Sequence, residues 1–572
     1  MEERIEFSWH DYGVFGLMLA LSTTVGVYFG FIKRQVTSND YLLGGKNMSI
    51  IPVSSSLIAS ILSGVTLLAI PADVYLYGVT LWFTVPMFIL TNALTSFVYM
   101  PVFYELQVTS TFEYLKLRFN NTIRTFASVL FVIGQLLYLP IVVYVPALAL
   151  SQATNINTHV IVPLICTVCV FYTSFGGLRA VVWTDALQFI VMVAAIIAIV
   201  ALGFSSDDIE NIWNKNYEYG RLDISFSIDV TKRDTFWTAT IGNSLIWTTY
   251  FMYNQGFVQK CISLPHYKAV RCAIINFAIG VMIIFSLAIL TGLLMFAKYW
   301  NCDPQLLGKI KQYDQLLPYY VMDIARTIPG LPGLFISGIF SAALSTLSAS
   351  INCLSASIYE DFIAPHIKKG TSERAITNYL KLLAMLIGAL VTLLTYIIPY
   401  LGTIQPLAIT VGSVTGSTLL GFYTCGMLIP AINAKGALFG GLTSILFVTW
   451  IISGAQYYKS VGLITYEPLP IGTGGCQNVT FLNSSVISYS RKTEEAAFVI
   501  YRISFYYYTL LGLLVFLLVA FIVSKLTPNC NKRLTKKYFS PVIRRFFNDS
   551  FISSLPRYTE QRAELLEIEK DS

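Results

Sequence analysis

Charge is scarce in this chain. Asp, Glu, Lys and Arg make up 12% of its 572 residues, where a soluble domain carries about 25%. Polar surface on that scale cannot cover a water-soluble globule, and 55% of the residues are hydrophobic. With a mean hydropathy of +0.64, the composition reads as a polytopic membrane protein. Signatures of enzymes are missing too: no HExxH, no GxSxG and no phosphate-binding loop, so the chain is not read as an enzyme and no cofactor is called for. The four histidines, His10, His159, His266 and His366, fall at span ends or in loops, which argues against a metal centre inside the membrane. The formal net charge of +7 is spread over short loops and one tail, so nucleic acid is not an expected partner. A basic start is absent as well. Glu2, Glu3, Arg4 and Glu6 precede the first apolar run, unlike the start of a cleaved signal peptide, and the first helix is expected to remain as an anchor.

Cysteine is modest at nine. Cys166 and Cys169 form a CxxC inside an apolar run with no second pair, so they read as small buried hydrophobes. Cys302 and Cys476 fall in two loops assigned to the outer side, where a disulfide is permitted but not required.

Apolar runs long enough to cross a bilayer predict an all-α protein of 13 spans, at 11–32, 50–76, 81–104, 122–151, 158–177, 181–203, 236–257, 270–297, 333–360, 374–398, 403–430, 433–453 and 499–524. Lys33, Arg34, Lys116, Arg118, Arg124, Arg179, Lys260, Lys268, Lys368, Lys435 and the basic run after 525 all lie on one side if the N-terminus is outside and the C-terminus inside. The organisation expected is an N-terminal segment 1–49, a five-helix unit 50–203, an outer loop 204–235, a second unit 236–430, two further spans within 431–524, and a cytoplasmic tail 525–572 that can touch anionic lipid.

Two spans look interrupted. Ser60-Ile61-Leu62-Ser63-Gly64 splits the second, and Asn243, Thr248, Thr249, Asn254, Gln255 and Gly256 make the seventh unusually polar. Irregular backbone at membrane depth is tolerated only where it lines a cavity or is covered by protein. Breaks at matching places in two halves point to a transport site. Spans 2–6 and 7–11 are then two five-helix units of opposite orientation, although no clean internal repeat is visible in the residues. The ninth span carries a hydroxyl stripe, with Ser341, Ser345 and Ser348 on one helix face. Two readings stand: close packing through small residues, or oxygen ligands for a hard cation.

The run Phe175-Gly176-Gly177-Leu178-Arg179-Ala180-Val181-Val182-Trp183-Thr184-Asp185 with Gln188 resembles the sodium/solute symporter family. So do Tyr41-Leu42-Leu43-Gly44-Gly45, the run 344–352 with Leu344-Ser345-Thr346, and Asn433-Ala434-Lys435-Gly436 with Gly440-Gly441. Tyr144-Val145-Pro146-Ala147-Leu148-Ala149-Leu150 and Asn254-Gln255 make the branch of sodium-coupled monocarboxylate, multivitamin and iodide transporters the most similar. The resemblance implies symport of sodium with a small organic, anionic solute across the plasma membrane by alternating access. It implies a sodium site from carbonyls of Ala59, Leu62 and Ala342 and hydroxyls of Ser345 and Thr346. Asp185 and Gln188 then line the ion's inward route, with a helix-end cap as the plainer role for Asp185. The implied solute pocket takes Ser60, Ser63, Thr66, Tyr144 and Gln255, with Trp247 and Phe251 as walls. Thr66 stands where the iodide and vitamin transporters show a glutamine-like residue. Asp73 is either a gate or a solvated helix end, and no mid-membrane lysine or arginine is expected. A sensor or sodium leak on the same scaffold is the rival reading.

Segment 454–498 holds two sequons, Asn478-Val-Thr480 and Asn483-Ser-Ser485, on the expected outer side. Both are expected to carry glycans. Asn478→Gln and Asn483→Gln should each remove one step of glycosidase-sensitive gel mobility; a wild-type band indifferent to glycosidase overturns the assigned side.

Overall fold

A computed structural model describes residues 7–32, 44–108, 110–325, 328–367, 371–401, 404–472, 474–476, 497–527 and 535–545. The sequons Asn478 and Asn483 lie outside these residues. Among those described the chain is helical throughout, without strands. Ten segments are long and apolar enough to cross a membrane, counting one bent pair as a single span. The other three expected spans fall on helix α1 (Trp9–Val27), on the 17-residue half-helix Thr158–Ser174, and on a seventh region divided into two short helices.

The bent pair is α2 (Ile50–Ile61) and α3 (Gly64–Tyr77), which meet at 53°. Leu62 and Ser63 are extended, and the Ser63 hydroxyl caps α3 by accepting from the Val65 N–H at 3.2 Å. A serine in that position satisfies a backbone donor that the break orphans. Three further long helices follow: α4 (Val79–Leu106), α5 (Asn121–Thr154) and α6 (Thr158–Ser205). Gly177, at φ 55° and ψ −162°, turns α6 in its middle. Only glycine takes that conformation cheaply.

The seventh region repeats the break. After α7 (Ser244–Met252), Tyr253 and Asn254 leave helical geometry, and the Asn254 side chain caps α8 (Gln255–Ile262) through the Phe257 N–H at 3.2 Å. Then come α9 (Tyr267–Tyr299), α10 (Leu331–Ile358), α11 (Glu373–Thr395), α12 (Ile404–Leu428), α13 (Ala434–Ser460) and α14 (Tyr508–Leu526).

Helix α10 is the axis. Its apolar window is 89% buried, against 22% for the window at α14, so α10 sees protein where α14 faces outward. It packs on α6, α5, α1 and α2. Small residues permit this closeness: a Cβ at Gly338 would sit 2.6 Å from that of Ala195. Asp11 staples α1 to the start of α10, accepting from the Gly333 N–H at 2.9 Å.

Three of the recognised motifs turn out to hold the frame. Asn433 caps α13 through the Gly436 N–H (2.8 Å) and donates to Thr527 (2.9 Å), while a Cβ at Gly436 would overlap Ser524. Arg179 reaches the Gly44 carbonyl at 3.0 Å, joining the two glycine-containing motifs.

Loops cover one end. Cys302 and Cys476 form a disulfide. Buried Arg221 donates to the carbonyls of Tyr75 and Tyr219, with its guanidinium 3.9 Å over the Phe296 ring. Asp73 is a buried ion-pair partner, not a solvated helix end: Arg233 bridges it to Asp234 and lies 3.6 Å over the Tyr77 ring. The reason is tertiary, since the 204–235 loop folds back over the α3 terminus.

Asp314 in this cap accepts the Ile404 N–H at the start of α12, and burial raises its carboxyl from an ordinary 3.8 to about 6. The folded carboxyl therefore holds its proton to higher pH than the unfolded one. Its contribution favours folding below about pH 4 and is lost as pH rises through 6. Asp314→Asn should flatten the pH dependence of thermal stability between pH 4 and 7 by up to about 3 kcal/mol. An unaltered slope in detergent-solubilised protein counts against this.

Candidate functional site

The α2–α3 break and the middle of α10 meet at named oxygens. The Ser345 hydroxyl donates to the Ala59 carbonyl at 2.7 Å and lies 3.1 Å from the Ala342 carbonyl. The Thr346 hydroxyl donates to that same Ala342 carbonyl at 3.0 Å. Ala59 belongs to the last turn of α2, whose carbonyls have no helical continuation. Ala342, three and four residues before the two hydroxyls, shares their face of α10. Four of the five expected ligand residues are thus linked by hydrogen bonds, and Leu62 sits at the break beside them. All of the oxygens are neutral, a donor set that suits a monovalent cation better than a divalent one.

The rest of the hydroxyl stripe divides between the two readings. Ser337 and Ser355 bond back to their own helix, at the carbonyls of Gly333 (2.7 Å) and Asn352 (2.9 Å), as packing serines do. Ser345 and Ser348 bond back as well but also reach other elements. Ser348 donates to the Ser345 carbonyl at 3.1 Å and lies 3.5 Å from Asp185.

Asp185 is fully buried rather than capping an exposed end. It accepts from Ser56 (2.7 Å) and from the ammonium of Lys260 (2.8 Å), whose side chain is 2% exposed. Lys260 also donates to the Ser60 hydroxyl at 2.6 Å and the Ser56 carbonyl at 3.2 Å. Sequence reasoning counted Lys260 as a loop cation and expected no lysine at depth; the structure corrects both. The charge had been read from its place after the seventh span, whereas α8 folds that lysine inward against α2. An acid in the sixth span without a visible partner was the one signal that a buried base had to exist. Gln188 is turned elsewhere, donating to Ser22 of α1 at 3.4 Å.

Three cavities lie along this core. The largest, about 80 Å³, is lined by Ser63, Thr66, Tyr138, Trp247, Tyr250 and Gln405 among others. A second, about 40 Å³, is bounded by Ser60, Gln135, Tyr138, Asn254, Lys260 and Thr346. A third, about 50 Å³, adjoins Gln135, Thr249, Tyr253 and Thr415. Tyr138 and Tyr250 border all three, with ring centroids 6.3 Å apart, and the Tyr138 hydroxyl lies 3.4 Å from Ser63. Neither tyrosine was singled out from sequence, since an aromatic in a membrane helix usually packs.

Of the expected solute residues, Ser63, Thr66 and Trp247 line the largest cavity and Ser60 the second. The other three line none of these cavities. Phe251 is enclosed by Phe88, Trp247, Phe257 and Phe277. Gln255 accepts the Thr111 N–H at 2.7 Å, joining α8 to the 111–118 helix. Tyr144 is buried in the C-terminal third of α5, within electrostatic reach of Asp314.

A multi-span helical protein with a broken helix delivering carbonyls to a hydroxyl-bearing neighbour belongs to the class of membrane transporters. Comparison with known proteins gives the particular family. Residues 41–444 match the model of the sodium:solute symporter family. The chain is 37% identical to mouse sodium-coupled monocarboxylate transporter 2 over 527 residues, covering 91% of this chain and 84% of that one. It is 35% identical to human sodium-coupled monocarboxylate transporter 1 (92% and 89% covered). A putative sodium-dependent multivitamin transporter of Drosophila melanogaster matches at 34% (88% and 84%). In structure it is similar to a substrate-bound, outward-open Na+-coupled sialic acid symporter, with a TM-score of 0.76 and 24% identity, over 92% of this chain and all of that one. The chain belongs to the sodium:solute symporter family, and it is a transporter rather than an enzyme.

Proposed function

We propose that this protein imports a small organic anion, a monocarboxylate or vitamin-like acid, together with sodium across the plasma membrane by alternating access. The observation that carries the reading is the meeting of Ala59, Ala342, Ser345 and Thr346 across a broken helix. Sodium bound there ties α2 to α10 and orders the start of α3. Ser63, Val65 and Thr66 of that start border the largest cavity, so sodium binding raises solute affinity, and linkage makes the effect mutual. The cavity offers neutral hydroxyls, amides and the N-terminus of α3, which together suit an anion's charge without a buried counter-ion on that side. The names of the monocarboxylate transporters support a carboxylic acid as solute, and that of the multivitamin transporter a vitamin.

The finer architecture in this reading is 13 spans, with spans 2–6 and 7–11 as inverted units and the N-terminus outside. Two observations support it. The breaks at Leu62–Ser63 and Tyr253–Asn254 lie five spans apart. The Cys302–Cys476 disulfide requires its two loops to share one side, as the charge rule assigns them. Each charge moved inward is then driven by about 2.3 kcal/mol per 100 mV.

Uptake of lactate, pyruvate, short-chain acids, biotin, pantothenate, choline, sugars and iodide should be compared with and without sodium. At least one organic acid is expected to enter only with sodium. Ser345→Ala with Thr346→Ala should raise the sodium needed for half-activation at least tenfold, about 1.4 kcal/mol, at unchanged surface level. Unaltered sodium activation sinks the ligand assignment, and uptake of every solute that ignores sodium sinks symport.

A further inference from the structure

Lys260 is the only charged residue among those bordering the three cavities. It faces the second cavity beside Ser60 and Thr346, while its ammonium is spent on Asp185, Ser60 and the Ser56 carbonyl. Thr346 also belongs to the oxygen cluster at Ala59, so that cluster and the ammonium open on one space. Behind it runs a continuous line of hydrogen bonds. Ser345 bonds the Ala59 carbonyl, Ser348 bonds the Ser345 carbonyl, and Ser348 touches Asp185. A carboxylate and a sodium ion leaving through this space therefore meet a lysine and an aspartate that are already paired. Gln135 borders the same space with a buried Oε1 that has no hydrogen-bond partner among the described residues.

We propose that Lys260 receives the carboxylate of the transported anion in the inner cavity, exchanging Asp185 for it, while Asp185 takes the sodium ion released by the Ala59–Ser345 oxygens. The inference rests on the symport reading above and adds to it the group that recognises the solute's charge. Net charge in the cavity is the same before and after: two ion pairs trade partners and no buried charge is left alone, which is the costly alternative. The exchange needs both ions, because either one alone strands Asp185 or Lys260. Coupling on the inner side follows from that requirement. Lys260 is thereby a specificity residue, selecting a small anion over its uncharged analogue.

Lys260 alone replaced by a neutral residue leaves Asp185 buried without its base, so the informative variant is Lys260→Gln combined with Asp185→Asn. Surface biotinylation first establishes that it reaches the membrane. Uptake of an accepted carboxylate and of its amide, such as nicotinate and nicotinamide or lactate and lactamide, is then compared in sodium. The preference for the acid is expected to fall at least tenfold relative to wild type. An unchanged acid-to-amide ratio overturns the proposal and leaves Lys260 as a fastening between α8, α2 and α6. A second measurement uses the unaltered protein in inside-out vesicles, with an amine-acylating reagent and peptide mass spectrometry at Lys260. The carboxylate with sodium should slow labelling at least threefold, whereas the amide, or the carboxylate without sodium, should not. Equal labelling in all arms overturns the proposal. A wild-type protein whose uptake ignores sodium would instead refute the symport reading, so the two failures are separable.

Discussion

The hydroxyl of Ser345 against the carbonyl of Ala59 is the contact on which the rest depends. It joins two crossings 286 residues apart in the chain, and it exists only because α2 ends at Ile61, which leaves the Ala59 carbonyl without a helical continuation. A continuous helix would have spent that carbonyl on its own ladder. Stopping it frees oxygens, which protein must then cover, since lipid offers nothing to bond. The near-total burial of α10 is that cover. Small residues bring α10 close enough for serine, the shortest hydroxyl, to reach a backbone oxygen on another helix. Architecture and chemistry are here one constraint: a break useful to an ion is affordable only beside a helix of serine, alanine and glycine.

Charge obeys a parallel rule. Three buried carboxylates are paired with a base, Asp185 with Lys260, Asp73 with Arg233 and Asp361 with Arg124, while buried Arg118 and Arg221 are held by backbone carbonyls. The second pair lies beneath the 204–235 loop and the third just past the C-terminal end of α10, while the first stands beside the Ala59–Ser345 oxygens. The second and third pairs hold elements from different parts of the chain together, so they can part when the elements do. The first pair differs in bordering a cavity. A buried pair adds little to stability when compared with apolar packing, which makes its position, rather than its strength, the informative property.

Much of the recognised motif set proves to be framework. Asn433 and Gly436 fix α13 against α14, Arg179 clasps Gly44, and Gly177 turns α6. These residues carry the family resemblance without touching a cavity. The residues that do border cavities include Tyr138, Tyr250 and Gln405, ordinary members of apolar runs as far as local sequence shows. Of the recognised motifs, the run 344–352 and Asn254 do reach a cavity, through Thr346, Ala349, Ser350 and Asn254.

Several properties were legible in the residues alone. Scarce charge demanded a membrane, the Ser60–Gly64 and Asn254–Gly256 interruptions located two breaks, and the 3.6-residue period put Ser341, Ser345 and Ser348 on one face. Each is a local property of composition or spacing. Other properties were decided only by tertiary structure. Lys260 looked like a loop cation because sequence records how far a residue is from a span, not which way a broken helix turns afterwards. Asp73 looked solvated because its partner, Arg233, lies 160 residues away in a loop that folds back. Phe251 and Trp247 are indistinguishable as aromatics on one helix, yet one is sealed among rings and the other borders a cavity. Pairing across long separations and the choice between neighbour and void are set by how helices pack, and no window of residues contains that information.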